Sequence, residues 1–403
     1  MKDQKALIQK VIYRALFMTF SVLLGCHFSM GMSENQQEQP FSVPLQGQSI
    51  PDAAAKLNTV LLYIGTYTDG ESKGIYLVRF DTVTGVASEP QLVANIDNPS
   101  FQCIGADKSQ LWSVSEKDNG AFTGFKINKK NGALERLKTF PSKGSAPCFI
   151  SYDNHGNTLM VANYSSGNLV RLAVNDDGTA RGKMAIHQHS GHGPVVNRQS
   201  HPHAHSIKID LKGRYGYSCD LGADKIYVYD LSQPGWHVST IIQDKPGSGP
   251  RHIAFHPGNK AMSVIHELNN TVSTYLPDQK GRFTLLQSVV STLPASFKGD
   301  SFGADIHYSP DGRFLYASNR GHNSIVIFKI DQTTMKPEVV GWMKEAIRWP
   351  RNFTIDLSGR FMLVANKKSD EISIYKIDGV TGQLTFTGHK IFVSKPVCLT
   401  WLP

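Results

Sequence analysis

Short apolar runs separated by turn-forming residues make up most of the chain, and residues 303–323 show the pattern most clearly. Ala304 to Tyr308 is a short run, and the Ser309-Pro-Asp-Gly312 segment that follows is typical of a hairpin turn. Arg313 to Ser318 is then apolar and aromatic, as expected of a buried strand. The pattern predicts two antiparallel strands, and the hairpin should return the end of the second strand to the start of the first.

The same unit recurs along the chain at spacings of 46 to 57 residues. The copies begin at Pro99, Pro147, Ala204, Pro250, Gly303, Pro350 and Pro396. A third strand, such as Ser324 to Ile330, and then a fourth follow each pair. Four strands at a period near fifty residues are typical of a β-propeller blade. The sequence therefore predicts an all-β fold, a seven-bladed β-propeller built from four-stranded antiparallel blades.

The last copy, Pro396 to Thr400, has one strand and then the chain ends. At the other end, Val60 to Thr66 and Lys73 to Phe80 supply strands that lack an inner partner of their own. We expect the C-terminal strand to pair with this N-terminal blade, because closing the ring removes the free edges of an open stack of sheets.

Residues 1–25 have the pattern of an export signal, with four basic residues before an apolar run from Ala15 to Leu24. That run is about half of the roughly 20 residues that a membrane span needs. The segment Leu23-Leu-Gly-Cys26 resembles the lipobox of bacterial lipoproteins, which predicts a lipid on Cys26. Cleavage a few residues later would instead release a soluble protein. Either way, we expect export to the periplasm or cell envelope.

Residues 26–57 are rich in Ser, Gln, Pro and Glu, which is typical of a flexible linker, and we assign residues 58–403 to the propeller. The net charge of +9 falls to +6 without residues 1–25, since 38 basic and 32 acidic residues remain. With no run of Lys or Arg, we expect no nucleic-acid partner. Cys103, Cys148, Cys219 and Cys398 lie on different blades, so we expect buried free thiols. We expect a monomer.

Charged and polar residues concentrate where the inner strands begin and where the second strands end, which should be one rim of the central channel. Inner strands crowd round one axis and favour small apolar residues, so charge at this rim has a desolvation cost and needs a partner or a ligand. The strand starts carry His205, Arg251, His252, Asp305, His307, Arg351 and Asn352, and the strand ends carry Glu116, Asn163, Asp220, Glu267, Asn319, Arg320 and Asn366.

Arg251, Arg320 and Arg351 leave a positive excess at this rim, which favours an anionic substrate or a developing oxyanion. The asparagines have an alternative interpretation, because Asn at the end of a repeated strand commonly bonds the local backbone.

Six histidines fall between His187 and His205, in a segment that lengthens one repeat to 57 residues. Imidazole is a common metal ligand, but no acidic ligand accompanies these histidines, and we expect no metal and no cofactor. We expect the extra loop to fold over the rim, where binding groups often lie.

Six strings in this order resemble those of the seven-bladed lactonase family, which includes bacterial propeller-type 6-phosphogluconolactonases and, more distantly, fungal carboxymuconate cyclases. They are Arg198-Gln-Ser-His-Pro-His-Ala-His205, Gly249-Pro-Arg-His252, His266-Glu-Leu268, Ala304-Asp-Ile-His307, Ser318-Asn-Arg-Gly-His-Asn-Ser324 and Pro350-Arg-Asn-Phe353. The resemblance covers nearly all of residues 58–403. It implies an enzyme that opens or forms a cyclic ester without a metal, acting on a small-molecule lactone.

By this resemblance the active centre falls on His205, Arg251, Glu267 and Arg320. His205 or Glu267 would act as general base, and Arg251 and Arg320 would stabilise the oxyanion and the carboxylate product. Substrate-binding roles are expected for His203, His252, Asp305, His307, Arg351 and Asn352. The export signal leaves open whether the sugar lactone is phosphorylated.

Two other classes fit the same fold. One is an exported propeller without catalytic activity that binds a sugar acid or a partner protein at the rim. The other is a metal-dependent lactonase or a quinone-type dehydrogenase. No Gly-x-Ser-x-Gly motif occurs, so a serine nucleophile is not favoured.

Overall fold

The structure is a computed structural model that describes residues 58–403. The predicted signal peptide, the linker and Cys26 lie outside the described residues. Within 58–403 the chain forms 28 strands and one four-residue helix, α1 (Val196–Gln199). None of the described helices is long and apolar enough to cross a bilayer.

The strands follow one another in chain order with short turns between them. They are β1 (Thr59–Thr66), β2 (Gly74–Asp81), β3 (Gln91–Asn95), β4 (Gln102–Ile104), β5 (Gln110–Ser115), β6 (Ala121–Ile127), β7 (Leu134–Pro141), β8 (Pro147–Asp153), β9 (Thr158–Asn163), β10 (Asn168–Ala173), β11 (Ala185–Gln188), β12 (Ala204–Ile209), β13 (Tyr215–Asp220), β14 (Lys225–Asp230), β15 (His237–Gln243), β16 (Pro250–Phe255), β17 (Met262–His266), β18 (Thr271–Pro277), β19 (Phe283–Ser291), β20 (Phe302–Tyr308), β21 (Phe314–Arg320), β22 (Ser324–Ile330), β23 (Pro337–Met343), β24 (Pro350–Ile355), β25 (Phe361–Asn366), β26 (Glu371–Ile377), β27 (Leu384–Phe392) and β28 (Pro396–Leu402).

These strands form seven antiparallel sheets of four strands, which confirms the predicted seven-bladed propeller. Blade 1 has the order β28-β1-β2-β3, and blades 2 to 7 each take four consecutive strands, from β4–β7 to β24–β27. β28 pairs antiparallel with β1, with Leu62 opposite Trp401. The predicted closure of the ring by the C-terminal strand is therefore confirmed.

Apolar side chains between neighbouring blades form the core. At the closure, Leu62, Phe80 and Trp401 of blade 1 pack with Phe361 and Leu363 of blade 7, and all five are buried. The Phe80 ring lies 5.6 Å from that of Phe361 and 5.4 Å from that of Trp401, between ring centroids. Full burial of one such side chain contributes roughly 1.5–3 kcal/mol, so these contacts hold the ring closed.

A β-bulge near the start of an inner strand is repeated around the ring. The register shifts at this point in six of the seven inner strands, in β28 and in those of blades 3 to 7. Cys148, His205, Arg251 and Arg351 are the residues skipped in four of these shifts. A bulge re-aims a side chain that would otherwise follow the pleat. The first layer of side chains in the channel therefore comes from these bulged positions.

Candidate active site

A cavity of about 230 Å³ opens at the end of the channel where the inner strands begin. Its walls combine side chains from the bulges, from the ends of the second strands and from the loop between β11 and β12. They are Tyr67, Glu116, Cys148, Tyr164, Arg198, His205, Glu267, Arg320 and Arg351. A larger cleft of about 540 Å³ lies at the outer strands of blades 1 and 2, but it lacks such a set of buried charges.

Glu267 binds three arginines in this cavity. Arg251 Nε donates to its Oε2 at 2.9 Å, and Arg320 Nη2 donates to the same oxygen at 2.6 Å. Arg198 Nη2 donates to the other oxygen, Oε1. The side chains of Arg251, Arg320 and Glu267 are at most 7 % exposed, whereas that of Arg198 is 32 % exposed. Residues from three separate parts of the chain therefore share one ion-pair network.

The charges in this network shift one another's pKa. Burial alone would raise the pKa of Glu267, but Arg320 and Arg251 outweigh it and hold that pKa well below its ordinary value. Burial, together with Arg320 and Arg351, lowers the pKa of Arg251 to about 10. Both groups are therefore ionised near neutral pH.

The backbone of Gly303 supports this network. Its N–H donates to the Glu267 carbonyl oxygen at 3.1 Å, and its own carbonyl oxygen accepts from Arg320 Nη2 at 3.0 Å. A Cβ on Gly303 would lie 2.4 Å from the His266 carbonyl oxygen, so only glycine permits this approach of blade 6 to blade 5.

His205 lies beside Arg251 and is buried. Burial, followed by the charge of Arg251, lowers its pKa well below the ordinary value, so the imidazole is neutral. Its Nδ1 lies 3.8 Å from the sulfur of Cys148, and burial raises the pKa of that thiol. Two uncharged groups therefore lie next to the arginine network.

Arg351 faces the cavity with unused donors. Its nitrogens form no hydrogen bond or ion pair with any residue in 58–403, and its Cζ lies 5.3 Å from the centroid of the Tyr67 ring. Burial lowers the pKa of Arg351, but nearby Tyr67 and the carboxylates of Glu116 and Glu267 outweigh this effect and raise it. Arg320 Nε is a second buried donor without a partner in the described chain.

Four of the expected substrate-binding residues meet at Asp305. Asp305 accepts from His252 Nδ1 at 2.8 Å, from His307 Nε2 at 2.9 Å and from Asn352 Nδ2. Burial and the charge of Arg251 lower the pKa of His252 to about 3. The neutral His252 ring then donates to Asp305 and accepts from Arg251 Nη1 at 3.2 Å.

None of these four residues lines the 230 Å³ cavity, although His252 and Asn352 line a smaller pocket that adjoins it. The expected substrate-binding role of these four residues therefore stays a prediction. His252 and Asn352 each directly follow a bulged residue, whereas Asp305 is one of the two residues skipped at the bulge of β20.

His203 also lies outside the cavity. Its Nδ1 is 2.9 Å from the Tyr164 carbonyl oxygen, and its ring stacks on the Tyr164 ring with centroids 4.4 Å apart. Tyr164 itself lines the cavity, so His203 supports the wall from behind.

The asparagines at the strand ends have structural roles, as the alternative interpretation proposed. Asn163 Nδ2 donates to the Ser142 carbonyl oxygen at 2.9 Å, and Asn319 Nδ2 donates to that of Thr292 at 3.0 Å. Asn366 Nδ2 similarly donates to the Ala346 carbonyl oxygen at 3.1 Å. Each side chain ties the end of a second strand to the loop before the blade's inner strand.

The histidine-rich loop is held by hydrogen bonds. His189 Nδ1 lies 2.8 Å from Asp220 Oδ2, and its Nε2 lies 2.9 Å from the Tyr229 hydroxyl. Gln199 in α1 donates to Asp224 Oδ1 at 2.8 Å. No group of three potential metal ligands occurs within residues 58–403. The loop instead brings Arg198 to Glu267.

Sequence reasoning did not assign several cavity residues to the site. Arg198 opens the first of the six strings that resemble the lactonase family, and its place on a loop expected to fold over the rim was the available signal. Glu116 was noted as a strand end, but no role followed from that position. Tyr67 and Tyr164 directly follow β1 and β9, as Glu116 and Glu267 follow β5 and β17, and this shared position was the available signal.

Comparisons with known proteins agree with this architecture. The family model "Lactonase, 7-bladed beta-propeller" matches residues 61–401. A 6-phosphogluconolactonase of Bacillus subtilis is 36 % identical over 343 residues, which cover 84 % of this chain and 97 % of that protein. A 6-phosphogluconolactonase of Formosa agariphila is 35 % identical over 309 residues, covering 74 % and 86 %. A solved periplasmic gluconolactonase of Pseudomonas aeruginosa has a TM-score of 0.80 at 30 % identity, covering 86 % and 99 %.

Proposed function

Because this chain belongs to the seven-bladed β-propeller lactonase family, as predicted from its sequence motifs, we propose that it hydrolyses a sugar lactone to the sugar acid. The reaction takes place in the 230 Å³ cavity, where a water molecule attacks the lactone carbonyl. The observation that carries this proposal is the buried network of Arg198, Arg251 and Arg320 around Glu267, with Arg351 beside it and in no ion pair with any residue in 58–403.

The arginines suit the charge that develops in this reaction. Attack on the carbonyl carbon creates a tetrahedral oxyanion, and ring opening leaves a carboxylate product. Arg351 and the Nε of Arg320 present donors that no described residue uses. A well-placed donor to an oxyanion contributes roughly 3 kcal/mol of transition-state stabilisation. We therefore assign oxyanion binding to these two arginines.

In this mechanism Arg251 and Glu267 hold the arginine network in place. Arg251 Nη1 donates to the Ala304 carbonyl oxygen, so its remaining hydrogen-bonding capacity is directed into the protein. Glu267 binds three guanidinium groups, and a carboxylate whose pKa is held well below its ordinary value is a weak proton acceptor. Neutral His205 lies beside the reacting centre and contributes a polar wall.

The sugar lactone is anionic or becomes anionic on hydrolysis. Four arginines and two glutamates line or adjoin the cavity, a difference of two positive charges. This excess suits both a plain aldonolactone and a phosphorylated one. The Bacillus relative is named for a phosphorylated lactone and the Pseudomonas relative for gluconolactone.

Purified full-length protein tests the proposal. Ring opening of gluconolactone and of 6-phosphogluconolactone is followed side by side, with the spontaneous rate subtracted. We expect enzymatic turnover of at least one of them, and Arg320→Ala should reduce it at least tenfold. If neither lactone is turned over but gluconate binds to the cavity, the protein is a sugar-acid-binding propeller, the alternative that the same positive charge favours.

We also propose that the protein works outside the cytoplasm, attached to the envelope through Cys26. Support comes from the basic and apolar pattern of residues 1–25 and the segment ending at Cys26. Fractionation of cells that express the full chain tests this. Cys26→Ser should move the protein from the membrane fraction to the soluble periplasmic fraction. Recovery of the unchanged protein in the cytoplasm would contradict export.

A further inference from the structure

Glu116 is the second carboxylate of the cavity, and its surroundings differ from those of Glu267. Its two side-chain oxygens lie 3.1 and 3.0 Å from the Tyr67 hydroxyl, which donates to them. Within residues 58–403 the Glu116 side chain makes no other hydrogen bond and no ion pair. A carboxylate has about four lone-pair sites, so Glu116 retains capacity to accept a proton from a water molecule.

The backbone holds Glu116 in place. Glu116 directly follows β5. Its N–H donates to the Asn98 carbonyl oxygen at 3.0 Å, and its carbonyl oxygen accepts from Asn98 Nδ2 at 3.1 Å. Tyr67 follows β1, and its N–H donates to the Lys395 carbonyl oxygen at 3.0 Å. Both side chains therefore project into the cavity from rigid strand ends of neighbouring blades.

The two carboxylates have unlike partners within one cavity. Glu267 is neutralised by three arginines, which leaves it little basicity. Among the described residues, the Glu116 side chain accepts a hydrogen bond from one neutral donor, the Tyr67 hydroxyl, and burial keeps this hydroxyl protonated by raising its pKa. Arg351, which donates no hydrogen bond to any residue in 58–403, packs over the Tyr67 ring. The proton acceptor and the oxyanion donor that hydrolysis needs are thus adjacent.

We propose that Glu116 is the general base of the lactonase reaction and that Tyr67 is its positioning residue, an inference that rests on the proposed function. Glu116 takes one proton from water as the water oxygen bonds to the lactone carbonyl carbon. The tetrahedral oxyanion collapses, the bond from carbonyl carbon to ring oxygen breaks, and Glu116 returns the proton to that ring oxygen. The new carboxylic acid loses a proton to solvent.

Glu116→Gln tests the assignment, because it keeps the shape and the contact with Tyr67 but removes the basic group. We expect kcat to fall at least 100-fold while the inhibition constant of the product gluconate changes less than threefold. The remaining rate should rise about tenfold per pH unit between pH 7 and 9, since hydroxide then replaces activated water. Tyr67→Phe should lower kcat about tenfold at unchanged KM.

The matched control is Glu135→Gln on the exposed face of β7, which should retain wild-type kinetics. The assignment is overturned if Glu116→Gln retains more than a third of wild-type kcat, or if gluconate binding weakens as much as kcat falls. An inactive wild-type protein would refute the proposed function, and this inference with it. An active wild type with an unaffected Glu116→Gln variant would refute the base assignment alone.

Discussion

Glu267→Gln should destabilise the whole propeller, although Glu267 lies in the cavity and not in the apolar core. The substitution removes the one carboxylate that binds Arg198, Arg251 and Arg320. Two of these arginines are at most 7 % exposed, so their charges would remain buried without a counter-ion. Arg198 is 32 % exposed and can turn towards solvent, so its contribution is small.

The magnitude follows from the two buried pairs. Removing one partner of a buried ion pair costs about 3–5 kcal/mol, because the other charge loses its compensation. Glutamine retains one carbonyl acceptor, which places the expected loss in the free energy of unfolding near the lower limit, at about 3 kcal/mol. For a domain of this size, that loss corresponds to a decrease in the urea midpoint on the order of 0.5–1 M.

Urea unfolding followed by tryptophan fluorescence measures this difference at several pH values. The folded-state pKa of Glu267 is depressed, so its stabilisation is present above the unfolded carboxyl pKa of about 4.3. It is lost as the pH falls through the folded-state pKa. The difference between wild type and variant should be constant from pH 8 to pH 5 and shrink only in stronger acid.

Two outcomes would contradict this reasoning. Equal midpoints at pH 7 would mean that the ion pairs contribute no net stability, and a difference that grows on acidification would reverse the expected sign. Glu135→Gln, an exposed substitution on β7, is the control and should leave the midpoint unchanged.

Three further predictions follow from other parts of the structure. Arg351→Ala should lower kcat/KM for the lactone by at least 100-fold. It should change the free energy of unfolding by less than 1 kcal/mol, since Arg351 has no ion-pair partner in the described chain. Kinetics and urea unfolding measure the two effects, and a loss of stability equal to that of Glu267→Gln would contradict the prediction. His252→Asn should make the free energy of unfolding fall less steeply as the pH decreases. The folded-state pKa of His252 is about 3, so the wild-type protein loses up to about 1.4 kcal/mol per pH unit as its unfolded state binds a proton below about pH 6.5. Unfolding measured from pH 7 to pH 4 gives this slope, and an equal slope in the variant would contradict the prediction. Deletion of residues 396–403 should prevent folding, because it removes β28 and the buried Trp401 from blade 1. Deletion of the exposed Pro403 alone should leave the fold intact. Circular dichroism on heating distinguishes the two variants, and a cooperative unfolding transition in the longer deletion would contradict the closure argument.

The sequence predicted the ring and the central part of the site because both follow from local, repeated patterns. Apolar runs and turn residues specify each strand through short-range preferences, and seven copies then require a closed ring. Glu267 and Arg320 occupy equivalent points at the ends of the second strands of adjacent blades, and Arg251 lies at the start of the inner strand in the blade of Glu267, so the repeat alone indicated that the three meet. The structure shows this directly in their shared hydrogen bonds.

Depth in the channel could not be predicted in the same way. His252 and Asn352 directly follow a bulged residue, Asp305 is itself a bulged residue, and a bulge changes which side chain faces the cavity. A sequence pattern with period two cannot locate an extra residue in a strand, so the sequence could not predict which of these side chains line the cavity.

The remaining cavity groups depend on contacts between distant segments. Arg198 reaches Glu267 across 69 residues, and Tyr67 reaches Glu116 across 49. The Arg198 contact does not follow the repeat, because Arg198 lies on the long loop between β11 and β12. Tyr67 and Glu116 do occupy equivalent positions after the second strands of blades 1 and 2, but their contact depends on how these two strand ends lie against each other. The amino-acid sequence by itself thus determined the strands, the closed ring and the excess of positive charge, since these arise from short-range preferences and repetition. Only tertiary packing decided which carboxylate is neutralised by arginines and which one retains a free acceptor.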